Sequence, residues 1–246
     1  RAGGKRTRSG GTEGVEDLAR QAISLARLQH QDLPKLEAIA RTAAETVEAL
    51  GPRDLASIAW AFAKLRMENP ELFFRLAEAV DSKVRAFKPQ DLSNIIWAYA
   101  TLASAGSLLL RAVIRQAMAK LPDFKPQDLS NHVWALATLR VSEEEQRDFL
   151  RSLSSHAIAR ISDFKAQDLS NHAWAFATLA RCELGLFVAI AEEATAMAAS
   201  LRPQHMANLV WSFAALAAQG GIIIGRRLLR ALAGAAIRKV REFKVQ

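Results

Sequence analysis

Cysteine, tyrosine and glycine are scarce among the 246 residues, with one Cys, one Tyr and 12 Gly. A single thiol excludes a disulfide framework and any cysteine-rich zinc site, so Cys182 is read as a packing residue. The near absence of aromatic residues other than Phe and Trp, with no alternation of β-branched residues, leaves no strand signature, whereas Ala and Leu are abundant. No apolar run of about 18 residues escapes interruption by Arg, Lys, Asp or Glu, so no membrane insertion is expected. Enzyme motifs are missing as well. There is no Gly-rich phosphate loop, no H-E-x-x-H and no G-x-S-x-G, and the carboxylates fall on solvent-facing helical positions such as Glu143, Glu144 and Glu145. A binding protein is expected, with no catalytic residue, no metal and no cofactor.

What is present is a repeat. The five Trp residues stand at 60, 97, 134, 174 and 211, at intervals of 37, 37, 40 and 37. The surrounding words match: GPRDLASIAWAFAKL from Gly51, KPQDLSNIIWAYATL from Lys88, KPQDLSNHVWALATL from Lys125, KAQDLSNHAWAFATL from Lys165 and RPQHMANLVWSFAAL from Arg202. One period before Trp60 a degenerate unit keeps Asp17, Leu18 and Leu28 in register without the Trp. The expected boundaries are a flexible basic tail at 1–14, a degenerate repeat at 15–49, repeats at 50–86, 87–123, 124–163, 164–200 and 201–242, and the start of a further repeat at 243–246. The tail fits either the remnant of a transit region or a plain linker. Phe243, Lys244 and Gln246 restart the word, so the array is expected to continue, and the first residue, Arg1, is that expected of a segment cut from a longer chain.

Each unit reads as two helices. The first opens at the Pro of KPQDLSN, suited to a first turn, with Asp91, Asp128 and Asp168 at the positive end of the helix dipole. The second has its own start signals, Asn69 before Pro70, and Ser142 followed by Glu145 as a capping box. Two helices per unit cannot bury both apolar faces, but stacked neighbours share one core. The predicted fold is all-α, an α-solenoid of paired antiparallel helices repeating every 37–40 residues. A helical wheel puts Leu92, Ile95, Ile96, Tyr99, Leu102 and Ala103 on a core arc. Gln90, Ser93, Asn94, Trp97 and Thr101 share the opposite arc, where the Trp either wedges against the next repeat or lines a groove.

Columns of equivalent residues sort structure from selectivity. The Trp column never varies among the five full units, and Asn94, Asn131, Asn171 and Asn208 give way only to Ser57, as expected of residues that build the stack. The position after Asn does vary: Ile58, Ile95, His132, His172 and Leu209. No Cys, Asp or Glu completes a metal set around the two histidines, which are expected to be partly buried between helices. The column before the Pro is basic: Lys88, Lys125, Lys165, Arg202 and Lys244, with Gly51 departing. Each cation adjoins a helix N-terminus, which favours anions, and the chain carries 33 Lys and Arg against 25 Asp and Glu. A ladder of phosphate-sized sites along one edge follows.

The words FKPQDLSNIIWAYATL and FKPQDLSNHVWALATL resemble the octatricopeptide repeat family and the related repeats beside RAP domains in organellar proteins, from about Val15 to the end. The resemblance implies sequence-selective RNA binding in a chloroplast or mitochondrion, acting in transcript stability, processing, splicing or translation, or on ribosomal RNA. It also implies that first-helix residues face the bases: Gln90, Asn94, Gln127, Asn131, Gln167, Asn171, Gln204 and Asn208. The variable His132 and His172 join them as candidates for base selectivity. The first unit lacks the Trp and the KPQ word, and no RAP domain follows within these residues. Single-stranded or ribosomal RNA is thus the expected partner, and five phosphate contacts would give a salt slope of about −3.5. A scaffold holding protein subunits of a large organellar assembly is the alternative, since a nearly identical Gln-Asp-Leu-Ser-Asn word in neighbouring units makes a poor code.

Overall fold

First helices start where a proline can donate nothing and loses nothing. In the computed structural model, which describes residues 10–103, 107–141, 143–220 and 225–239, Pro52, Pro89, Pro126 and Pro203 open α3 (Pro52–Lys64), α5 (Pro89–Thr101), α7 (Pro126–Leu139) and α11 (Pro203–Ala218). Ala166 takes that place in α9 (Ala166–Thr178). Three residues into α5, α7 and α9 the Asp carboxylate turns back on the residue before the helix. The backbone N–H of Lys88, Lys125 and Lys165 donates to Asp91, Asp128 and Asp168 at 3.2, 3.0 and 3.2 Å. Asn69 caps α4 (Pro70–Lys83) by accepting from the Leu72 N–H at 2.9 Å. The remaining helices are α1 (Gly10–Leu28), α2 (Leu33–Glu45), α6 (Ser107–Lys120), α8 (Glu143–Ala159), α10 (Leu184–Ala196) and α12 (Arg226–Arg238). Among the described residues there is no strand, and no helix is long and apolar enough to cross a membrane.

The fold is an all-α helical-repeat solenoid. It divides into two units, residues 1–116 and 117–246, the division falling in the last turns of α6. In the first unit α3 packs against both α1 and α5, and α2 against α4. Its core holds Leu55, Ile58, Phe62, Leu92, Ile95 and Tyr99. In the second unit α9 lies between α7 and α11, and α10 between α8 and α12. Leu129, Leu136, Leu169, Phe176, Leu209 and Phe213 fill its centre. Each such side chain contributes about 1.5–3 kcal/mol by leaving water.

Because a first helix is flanked on both sides as well as by its own partner, the single core arc of the wheel is too narrow. Ser93, assigned to the polar arc, is buried, as are its equivalents Ser130 and Ser170 and, on the same helix, Ala98 and Ala100. At the far end Leu102 is half-buried and Ala103 exposed, because α5 stops at Thr101 and Ala103 turns into the left-handed region with φ 51°. Gln29, Arg66, Arg140 and Ala180 make the same turn after α1, α3, α7 and α9, and Gly220 does so after α11. Five of these six positions do without glycine, which is why sequence gave no stop signal there.

Two further expectations change. Residues 10–14, placed in the tail, lie in α1, whose buried stripe of Ala19, Ala22, Leu25 and Ala26 anchors a longer helix than the glycines suggested. Cys182 is exposed in the connection between α9 and α10, so it is no core packing residue. The Ser142 to Glu145 capping box, residues 1–9 and the restart at Phe243, Lys244 and Gln246 lie outside the described residues.

Candidate nucleic-acid interface

Residues spaced four, three and four apart fall in line along a helix, and here that line meets solvent. On α7 it runs Gln127, Asn131, Trp134, Thr138, and on α9 Gln167, Asn171, Trp174, Thr178, with Gln and Thr exposed and Asn and Trp half-buried. On α5 the equivalents are Gln90, exposed, with Asn94, Trp97 and Thr101 half-buried. On α11, Gln204 is exposed, Asn208 half-buried and Trp211 48% exposed. The indoles are therefore partly packed in the stack and partly in water. Thr101 and Thr138 donate their hydroxyls to the Trp97 and Trp134 carbonyls at 2.8 and 2.9 Å. Gln167 is committed within the protein: its amide donates to Asn171 Oδ1 at 2.8 Å, and its Oε1 lies 3.3 Å from His205 Nε2 on α11.

The basic column is exposed at Lys88, Lys125, Lys165 and Arg202, but its members are not equal. At the three lysines the neighbouring Asp occupies the helix N-terminus, so cation and carboxylate offset one another. Asp128 and Asp168 are buried; burial pushes the Asp168 carboxyl above its usual range, opposed by the Lys165 N–H bond and charge. At α11 no carboxylate takes that place. His205 stands there, its Nδ1 accepting from the Arg202 N–H at 3.2 Å. Burial, then Arg202 and Lys239, push its imidazole below the ordinary value, keeping it neutral. The start of α11 is consequently the most electropositive of these four.

His132 and His172 do not belong to this surface. Both are fully buried, so the candidate role in base selectivity and the expected partial burial are corrected together. His132 Nδ1–H donates to the Asp128 carbonyl at 2.8 Å, and its ring packs 4.8 Å from that of Phe124 and edge-on to Phe149. His172 Nδ1 lies 3.0 Å from Ser130 Oγ, which is itself 3.1 Å from the Asp168 carbonyl. One hydroxyl hydrogen serves all three groups if the imidazole donates to Ser130 and Ser130 donates to Asp168. Burial pushes the two imidazoles down to about 4 and about 3, and neither Nε2 has a partner.

Sequence reasoning missed a second basic column. Lys83 Nζ donates to the Glu48 and Leu50 carbonyls at 2.7 and 3.1 Å, Arg160 Nη1 to Phe124 at 2.6 Å and Lys239 Nζ to Leu201 at 2.9 Å. Each latches the end of a second helix to the backbone just before the first helix of its own repeat. The signal exists in sequence, but insertions before Arg160 and Lys239 shift it out of the Trp register.

Compared with known families, residues 14–220 match the family model of the RNA-editing substrate-binding complex 6 protein. No curated protein matches the chain.

Proposed function

The chain belongs to the RNA-editing substrate-binding complex 6 protein family, and from that premise we propose that it binds single-stranded RNA along the first-helix stripes, as a non-enzymatic member of an RNA-protein assembly. The observation that carries this reading is the recurrence on α5, α7, α9 and α11 of an exposed Gln, a half-buried Asn and a partly exposed Trp, each headed by an exposed cation. Partly exposed indoles and amides suit unstacked bases, the cations suit phosphates, and helical-repeat readers take about one nucleotide per repeat. Arg202 is the leading phosphate anchor, Lys88, Lys125 and Lys165 the weaker ones. The octatricopeptide-like word supports the same reading, with a ribosomal strand as one source of RNA. RNA-editing complexes of this kind are mitochondrial in kinetoplastids, which supports a mitochondrial over a chloroplast setting.

The test is titration with short single-stranded RNA at several salt concentrations. Four phosphate contacts give a slope of about −2.8, and replacing Lys88, Lys125, Lys165 and Arg202 together by Glu removes both slope and binding. Unchanged affinity and slope, with helicity intact by circular dichroism, would overturn RNA binding in favour of a protein scaffold. That second reading draws on a separate observation: Phe74, Leu108, Leu184 and Val188, all on second helices, are exposed.

A further inference from the structure

We propose that the groove between α4 and α6, apolar at its floor and lips and acidic at its rim, docks a helical segment of a partner protein that is apolar on one face and cationic along its flanks. The proposal stands apart from RNA binding, which uses the first helices.

The groove has a volume of about 550 Å³, and its floor is made by Phe73, Tyr99, Leu102 and Leu109. Tyr99 fixes that floor: its hydroxyl donates to the Phe73 carbonyl at 2.6 Å, and the two rings meet edge to face at 5.0 Å. At the lips Phe74 is 62% and Leu108 77% exposed, an unusual display of large apolar surface for a chain with polar alternatives at hand. On α4 the lining residues Pro70, Phe73, Phe74, Ala77 and Asp81 recur at helical spacing along three turns, roughly 16 Å. That is the length and periodicity an amphipathic helix reads when it lies in a groove. A small molecule would leave much of itself in water in so open a site, whereas a helix covers both lips at once.

Charge selects the occupant. Glu68, Glu78 and Asp81 line the rim, and no Lys or Arg does among the described residues. Arg75 holds Glu78 at 2.9 Å from outside the groove, so the rim stays net negative on a chain whose overall charge is +8. RNA is repelled there and a cationic flank is attracted, which separates this surface from the stripes of α5, α7, α9 and α11.

The experiment uses the whole chain and a synthetic helical peptide of about four turns, with leucine on one face and arginine on both flanks, followed by fluorescence anisotropy. Binding is expected, and Phe74→Asp weakens it by about tenfold, as does Glu78→Lys with Asp81→Lys. Both lie at exposed positions and leave the fold intact. The doubly reversed variant is expected to take up the same peptide with glutamate flanks, a swap that general stickiness does not produce. Equal binding to all variants, or equal binding by a peptide without leucines, would each overturn the proposal.

Discussion

At one register position the two units are built from different material. Residues 1–116 use Ile58 and Ile95, and residues 117–246 use His132 and His172 before returning to an aliphatic side chain at Leu209, all five buried. The shared site is apolar, as the phenylalanine rings around both histidines show. An imidazole fits there only as a neutral ring, with one nitrogen bonded and the other facing carbon. The comparison teaches that a position can be equivalent in shape and yet make only one unit answer to pH.

The largest effect to look for is acid lability confined to the second unit. Both imidazoles are free to protonate when unfolded, near their ordinary 6.5, but resist to about 4 and about 3 when folded. The unfolded state therefore binds more protons below that ordinary value. Stability is whole above about pH 6.5 and falls as the pH drops toward 4 and then 3. The loss is on the order of 3 kcal/mol for His132 alone. Hydrogen exchange at pH 7 and pH 5 should show α7 and α9 losing protection while α3 and α5 keep theirs. Replacing both histidines by Ile should reduce the difference to what His205 contributes; if it persists in full, His132 and His172 are not its source.

A smaller break in the comparison is Ser130→Ala, which copies the Ala56 of the first unit. It strands His172 Nδ1–H in the core and takes the second donor from the Asp168 carbonyl, and should cost about 1–3 kcal/mol in chemical denaturation. The mirror test is Tyr99→Phe, which removes the buried bond to Phe73 from the first unit for about 1 kcal/mol. Smallest is Ala180→Gly at φ 54°, where relief of the left-handed turn is expected to raise stability by up to about 1 kcal/mol. No gain in melting temperature would mean that chain entropy cancels the relief.

The period and the first-helix starts were legible because Trp, Pro and Asp carry their message locally, in shape and in the first turn. The burial of Ser130, His132 and His172 was not, since it depends on how many neighbours a helix has, and a wheel assumes one. The unequal cations were half legible: His205 in place of Asp is visible in the word, but its neutrality comes from burial beside Arg202 and Lys239. The latches at Lys83, Arg160 and Lys239 escaped because they reach backbone carbonyls, which no residue type advertises.

Those latches have a consequence for how such an array can grow. Each has an acceptor inside its own repeat, Leu50, Phe124 or Leu201, with Glu48 just before the boundary as a second one for Lys83, so a copied repeat arrives with most of its closure already made. The bonds from Ser130 to α9 and from Gln167 to His205 instead cross from one repeat to the next. Gene duplication can thus lengthen the chain by whole repeats, but inserting a copy between α7 and α9 or between α9 and α11 would separate donor from acceptor. The second unit has become a sentence whose words can no longer be reordered.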